Sequence, residues 1–208
     1  MQYSFRMRRT SRLLDRLHDE TRAHRVEADS DLDYLFAPDV IPANYLLFLM
    51  RTYGFEAPLE SALATTPGLE LAVDLRSRVK AGFIAQDLLA LGVRASEVTD
   101  LPQCLAVPQF RSAIEAIGWM YVTERHTLVH GVLHRHLETK LAREMTHAAS
   151  YLTCYESIAG RRWSELCDAI EHLAQTRALE DRLIFAAHDA YRCHRRWLHH
   201  EPERRVAS

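Results

Sequence analysis

"GWMYVTERHTLVHGVLHRHL", residues 118–137, places three histidines in a stretch that otherwise has the pattern of a buried helix. His126, His130 and His134 are spaced four residues apart, so an α-helix puts them on one side. That spacing suits a two-histidine metal clip, and it equally suits a polar stripe packed inside a bundle. A metal site also needs carboxylates or histidines from other helices, and Glu124 falls on a different face. Three interpretations stay open: a metal site, a wall facing a cofactor, or a polar helix face.

The rest of the chain predicts an all-α, single-domain helical bundle. Its 208 residues are 48% hydrophobic, which suffices for one substantial core, with a domain over 11–200 and short tails at 1–10 and 201–208. Seven glycines, seven prolines and long segments with a period near 3.6 residues favour helices almost throughout.

Charge and cysteine content limit the partners and the compartment. A formal net charge of −2 gives no general attraction to nucleic acid or to anionic lipid. No apolar stretch is long enough for a membrane span, and the basic start lacks the features of a secretory signal. The four cysteines form no CxxC pair, so we expect reduced thiols in a cytoplasmic protein.

Local patterns predict where the helices begin and end. "SRLLDRLHDETRAHRVEADSDLDYLF", residues 11–36, is predicted to be one amphipathic helix with Leu13, Leu17 and Thr21 on its buried side. Residues 41–63 are predicted to form two helices that meet at a bend near Gly54 and Pro58. Gly92 is predicted to end a helix. Residues 110–149 are predicted to form one continuous or kinked helix, and the remainder of the chain is predicted to form two closing helices.

The order of these segments resembles the bacterial biliverdin-producing heme oxygenases, including those that supply bacteriophytochromes. The similarity runs from about Leu17 to Leu198, and it rests on the opening stretch together with RTYGFEAPLE, AQDLLALGV, LPQCLAVPQF, SYLTCYESIAGRRWSEL and AYRCHRRWL. The resemblance implies a heme-oxygenase-like fold in which heme lies between a proximal helix near the N-terminus and a kinked distal helix. It also implies opening of the heme by O2 and electrons to biliverdin, iron and carbon monoxide, with an electron donor and a bacteriophytochrome as possible partners.

The position that the resemblance assigns to the proximal iron ligand is occupied by Arg25. Leu17, Thr21 and Asp29 match the family pattern around it without a gap. A guanidinium has no lone pair to offer iron, so Arg25 cannot replace a ligating imidazole. His24 precedes it by one residue, but its side chain points about 100° away on an ideal helix and would need a shift in register.

The distal helix departs from the family pattern as well. Arg125, Val129 and His130 stand where the family has glycines, which allow the backbone to approach the heme closely. His126 stands where the family often has a small polar residue, so it could contact a distal ligand or bind iron from the opposite face. The candidate cofactor-binding residues are accordingly His24, Arg25, Glu124, Arg125, His126, Val129 and His130, and His24 and His126 are the candidate catalytic residues and heme-iron ligands.

Two functions follow from these departures. The first is a non-catalytic or redirected descendant that binds a tetrapyrrole, another small molecule or a protein. The alternative is an active heme oxygenase that uses a non-standard histidine ligand. A helical di-iron oxidase is a third possibility, and it would require a converging set of carboxylates.

Overall fold

The computed structural model describes residues 11–199, and the predicted tails at 1–10 and 201–208 lie outside the described residues. This part of the chain contains helices and no strand, and it packs as one domain, which confirms the predicted all-α bundle. The α-helices are α1 (Arg12–Glu20), α2 (Arg22–Ser30), α3 (Pro42–Ala64), α4 (Ala81–Ala90), α5 (Ala95–Thr99), α6 (Ala113–His126), α7 (His130–Lys140), α8 (Ala142–Met145), α9 (Ser150–Thr153), α10 (Ala159–Leu173) and α11 (Arg177–His199).

The predicted first helix is divided into α1 and α2 at Thr21. Its amide donates to the carbonyl of Leu17 at 3.1 Å, and the amide of Arg25 donates to the carbonyl of Thr21 at 3.1 Å. Leu13 and Leu17 are buried, as the pattern predicts. The i to i−4 hydrogen bonds thus pass through the interruption, so the register from Leu17 to Arg25 is kept.

The predicted bend in the next segment is wrong, because α3 runs without a break through Pro58. Proline has no amide hydrogen, so the carbonyl of Gly54 loses its helical partner. The amide of Cys104 donates to that carbonyl instead, at 2.7 Å. A Cβ at position 54 would lie 2.4 Å from the carbonyl oxygen of Pro102 and 2.5 Å from the ring of Trp197. The absence of a side chain at Gly54 therefore allows a loop and α11 to pack closely against α3.

The long helix predicted over 110–149 is divided into α6, α7 and α8, and α7 ends at Lys140. α6 ends at His126, a 3-10 turn covers 127–129, and α7 begins at His130. A Cβ on Gly118 would lie 2.7 Å from the carbonyl oxygen of Leu183, so a glycine at 118 lets α6 pack directly on α11. Gly92 follows α4 with a φ of +91°, the left-handed conformation that the sequence predicts.

Two apolar clusters form the core. The first joins α1, the second half of α3, α6, α10 and α11, and the second joins the first half of α3, α4, α7 and α9. α3 belongs to both clusters, with Phe55 in the first and Phe48 in the second. A cavity opens where the two clusters meet, beside these two rings.

Candidate functional site

A cavity of about 260 Å³ lies between the end of α2, the middle of α3, the junction of α6 and α7, α9 and α11. Its apolar walls come mainly from phenylalanine and leucine side chains, and its polar groups are four imidazoles, two carboxyls, two phenols, one guanidinium and one threonine hydroxyl. The main contributors are Phe48, Phe55, Leu133, Leu198, His126, His130, His194, Glu56 and Tyr151. The exposed side chains of Tyr34 and His199 line the cavity as well, so these two residues mark its opening toward solvent.

Three of these histidines are uncharged at neutral pH. Burial lowers the pKa of His130 to about 3 and that of His194 to about 4. Burial, aided by the neighbouring His194, also holds the pKa of His126 well below its usual value. The rings of His126 and His194 lie 4.8 Å apart, and Phe55 meets His194 edge-on at 4.7 Å. A neutral imidazole has one hydrogen-bond donor and one acceptor, so these walls are polar without being charged.

The three histidines of this helical row do not all line the cavity. His126 and His130 line the cavity, but His134 lies outside its wall. Among residues 11–199, no group of three or more histidine, cysteine, aspartate or glutamate side chains is arranged to hold a metal ion.

A buried network of charges lies behind one wall of the cavity. The carboxylate of Glu124 accepts from Nη1 of Arg78 at 2.6 Å and from Nζ of Lys80 at 3.0 Å, and the hydroxyl of Tyr155 lies 3.4 Å away. Glu124 is therefore held in a structural ion cluster and does not line the cavity.

Glu56 connects this network with the cavity. Its carboxylate lies 3.7 Å from Nζ of Lys80, and its side chain lines both this cavity and a smaller one of about 150 Å³ that Lys80 and Glu124 also line. Burial raises the pKa of Glu56 to about 7, against the opposing effect of Lys80. The carboxyl group is thus poised between its neutral and charged forms near neutral pH.

The charges of Arg25 and Arg125 both act on Tyr191 of α11. Nη1 and Nη2 of Arg125 donate to the two carboxylate oxygens of Asp29 at 2.9 and 3.0 Å, and the Arg125 side chain is only 16% exposed. Arg25 donates through Nη2 to the carbonyl of His18 at 2.8 Å. Burial raises the pKa of the Tyr191 phenol, and the positive charges of both arginines act to lower it. A two-point ion pair thus joins α2 directly to the end of α6.

His24 points away from the cavity. Its ring stacks on Tyr191 at 5.5 Å and meets His188 at 5.1 Å, and its Nδ1 lies 3.7 Å from the carboxylate of Glu27. It lines a shallower groove between α2 and α11. The structure thus brings His126, Val129 and His130 to the cavity, whereas His24, Arg25, Glu124 and Arg125 lie elsewhere.

Sequence reasoning missed most of the polar residues of the cavity, among them His194 and Glu56. Both have a signal in the sequence, because each falls on the buried side of an amphipathic helix. His194 continues the spacing of Ala187 and Tyr191 on α11, and Glu56 continues that of Thr52 on α3. A polar residue at such a position is a candidate for a cavity wall.

Comparison with known protein families, curated proteins and solved structures finds no match for this chain. Within residues 11–199, no helix has both the length and the apolar character that a membrane crossing requires.

Proposed function

We propose that this chain is a divergent heme-oxygenase-like protein that binds a compact small molecule in the central cavity and does not open heme. The proposal joins the sequence resemblance to the replacements at the proximal and distal positions. The observation that carries it is the ion pair between Arg125 and Asp29.

This ion pair competes with a heme for space. The resemblance places the macrocycle between the helix of Arg25 and the helix of Arg125, and the pair joins those two helices by direct hydrogen bonds. Two parallel bonds between guanidinium and carboxylate are among the stronger polar contacts in proteins. A ligand inserted between α2 and α6 would have to separate them and leave both charges without partners.

The size and charge of the cavity support the same conclusion. Its volume of about 260 Å³ is below the range of about 300–1,000 Å³ that is typical of pockets for drug-sized ligands. Heme also carries two carboxylates, and the cavity wall offers Arg51, whose guanidinium already donates to the carbonyl of Leu198. Arg25 also occupies the position that the resemblance assigns to the iron ligand. The residues present therefore do not fit a heme.

Titration of the purified full-length protein with hemin tests this proposal. We expect no saturable one-to-one complex in the absorption spectrum and no biliverdin after addition of ascorbate in air. A saturating complex that turns over to biliverdin would refute the proposal and establish the active alternative. The spectra of His24→Ala and His126→Ala would then identify the iron ligand.

A pair of variants tests the structural reason. Arg25→His combined with Arg125→Gly restores an imidazole and removes the ion pair, and it is expected to gain a hemin absorption band. Arg22→His is the matched control, because it adds a histidine at an exposed position of the same helix. Equal hemin spectra in the wild type, the double variant and the control would contradict this explanation.

A further inference from the structure

The wall of the central cavity carries a guanidinium that has no carboxylate partner. Arg51 is the only lysine or arginine among the described residues that line this cavity. Its Nη1 donates to the carbonyl oxygen of Leu198, near the end of α11. That neutral carbonyl is its one side-chain partner within residues 11–199. A guanidinium has five N–H donors, so most of the donors of Arg51 are left for another partner.

The acidic groups of the same wall have basic partners of their own. The carboxylate of Glu56 lies 3.7 Å from Nζ of Lys80. The carboxylate of Asp31 lies 2.9 Å from Nε2 of His199. Neither acid pairs with Arg51, so the charge of the described wall that lacks a counter-charge is positive. A ligand that brings a negative group would supply that counter-charge.

Arg51 lies at the opening of the cavity. Its acceptor belongs to Leu198, the residue before His199, and His199 and Tyr34 mark the opening. Partial burial raises the pKa of the Tyr34 phenol to about 12, and the positive charge of Arg51 acts in the opposite direction. The phenol therefore keeps its proton at neutral pH and can donate a hydrogen bond. An anionic group at the opening would have a guanidinium and a phenol as donors.

The interior of the cavity suits an apolar body. Phe48 and Phe55 lie one helical turn before and after Arg51, and all three line the cavity from α3. Leu133 of α7 and the neutral imidazole of His126 contribute to the same interior. An apolar cavity of about 150 Å³ accommodates benzene, so a volume of about 260 Å³ has room for one ring with a short chain.

We infer that the central cavity binds a monocarboxylate with a compact apolar body, and that Arg51 pairs with its carboxylate at the opening. A guanidinium matches a carboxylate by two parallel hydrogen bonds. A second carboxylate on the ligand would lose its water without gaining a counter-charge, because the described wall has no second lysine or arginine. This inference rests on the function proposed above and names its ligand class. Arg51 acts here as a binding residue, and no chemical step is assigned to it.

Three matched probes test the inference by calorimetric titration of the full chain at pH 7.5. Hydrocinnamate has one ring, a short chain and one carboxylate. Its amide has the same shape without the charge, and benzylmalonate adds a second carboxylate. We expect hydrocinnamate to bind about tenfold more tightly than its amide, the ratio that a net hydrogen bond to a charged group provides. Benzylmalonate is expected to bind more weakly than hydrocinnamate, because its second charge has no partner.

Variants assign the preference for the carboxylate to Arg51. In Arg51→Met, which keeps an apolar stem without the charge, the preference of about tenfold is expected to disappear while the amide still binds. Arg51→Gln repeats the measurement in case methionine fills the cavity or prevents folding. Arg135→Met is the matched control, because it makes the same change in net charge at an exposed position of α7 outside the cavity wall. It is expected to keep the preference.

The outcomes separate this inference from the function on which it rests. If the wild type binds none of the three probes at millimolar concentrations, the proposed small-molecule function fails together with the inference. If hydrocinnamate and its amide bind equally well, the cavity remains a ligand site and the role of Arg51 is overturned. A preference that survives in both Arg51 variants, or that is lost equally in Arg135→Met, overturns that role as well. Benzylmalonate that binds as tightly as hydrocinnamate overturns the restriction to one carboxylate.

Discussion

Replacing His130 with phenylalanine is expected to make the fold less sensitive to acid. Burial lowers the pKa of His130 to about 3 in the folded chain, whereas an unfolded histidine titrates near 6.5. Between these values the unfolded state binds a proton that the folded state does not bind. The free energy of unfolding therefore falls as the pH falls through this window. Each pH unit well below 6.5 costs about 1.4 kcal/mol, so His130 alone costs about 2 kcal/mol between pH 6.5 and 4.5 and about 3 kcal/mol between pH 7.5 and 4.5.

Urea unfolding at pH 7.5 and 4.5 measures this difference. The wild type is expected to lose about 3 kcal/mol more than His130→Phe between the two conditions. The other buried groups that titrate in this range, His194 and Glu56 among them, are present in both proteins, so their effects largely cancel in the comparison. His134→Phe, the control on the same helix, is expected to follow the wild type.

Parallel pH profiles of the wild type and His130→Phe would refute the reasoning. They would mean that the imidazole takes up a proton in the folded state as readily as in the unfolded one. The wall at His130 would then be solvated or charged.

Three further substitutions test the structural framework. Lys80→Met leaves the buried carboxyl of Glu56 without its counter-ion and Glu124 with Arg78 alone, and it is expected to reduce the free energy of unfolding by about 3–5 kcal/mol in urea titrations. Gly118→Ala forces a Cβ to within 2.7 Å of the Leu183 carbonyl oxygen and is expected to cost about 1–3 kcal/mol. Gly131→Ala, whose Cβ would meet only Nη1 of Arg135 at the ordinary contact distance of 3.7 Å, should be neutral or stabilising by thermal melting. Asp87→Ala removes the carboxylate that accepts hydrogen bonds from the first two amides of α9 at 2.8 Å. It is expected to lower the free energy of unfolding by about 1–2 kcal/mol, and amide hydrogen exchange would show the loss of protection in α9.

The helical class of the fold could be predicted from the sequence because it depends on local properties. The signals are the low content of glycine and proline, the hydrophobic period near 3.6 residues and the glycine at the end of α4. Each of them acts over one or two helical turns. The continuity of α3 could not be predicted in this way. Pro58 removes a hydrogen bond locally, and the amide that replaces it belongs to Cys104, on a distant loop. Only the tertiary structure brings the two together.

The residues of the candidate site also differ in whether a local signal in the sequence predicts them. His126 and His130 could be found because they interrupt an apolar helix, and both line the cavity. Glu56 and His194 come from helices far away in the chain, and their role depends on which sides of α3 and α11 meet. The sequence marks Arg125 as a bulky replacement, but it does not reveal that Asp29 is the partner.

The ion pair between Arg125 and Asp29 explains why the proximal and distal departures belong together in the proposed function. Asp29 is a position that the chain shares with the family pattern, so the arginine that replaces a distal glycine meets a carboxylate that is already there. In the proposed function, the joined helices leave no space for a macrocycle between them, and an iron ligand at position 25 would have nothing to bind. Arg25 is then free to donate to a backbone carbonyl of α1. The remaining space lies beyond the pair, toward α3 and α7, and it is the cavity in which we propose that a smaller ligand binds.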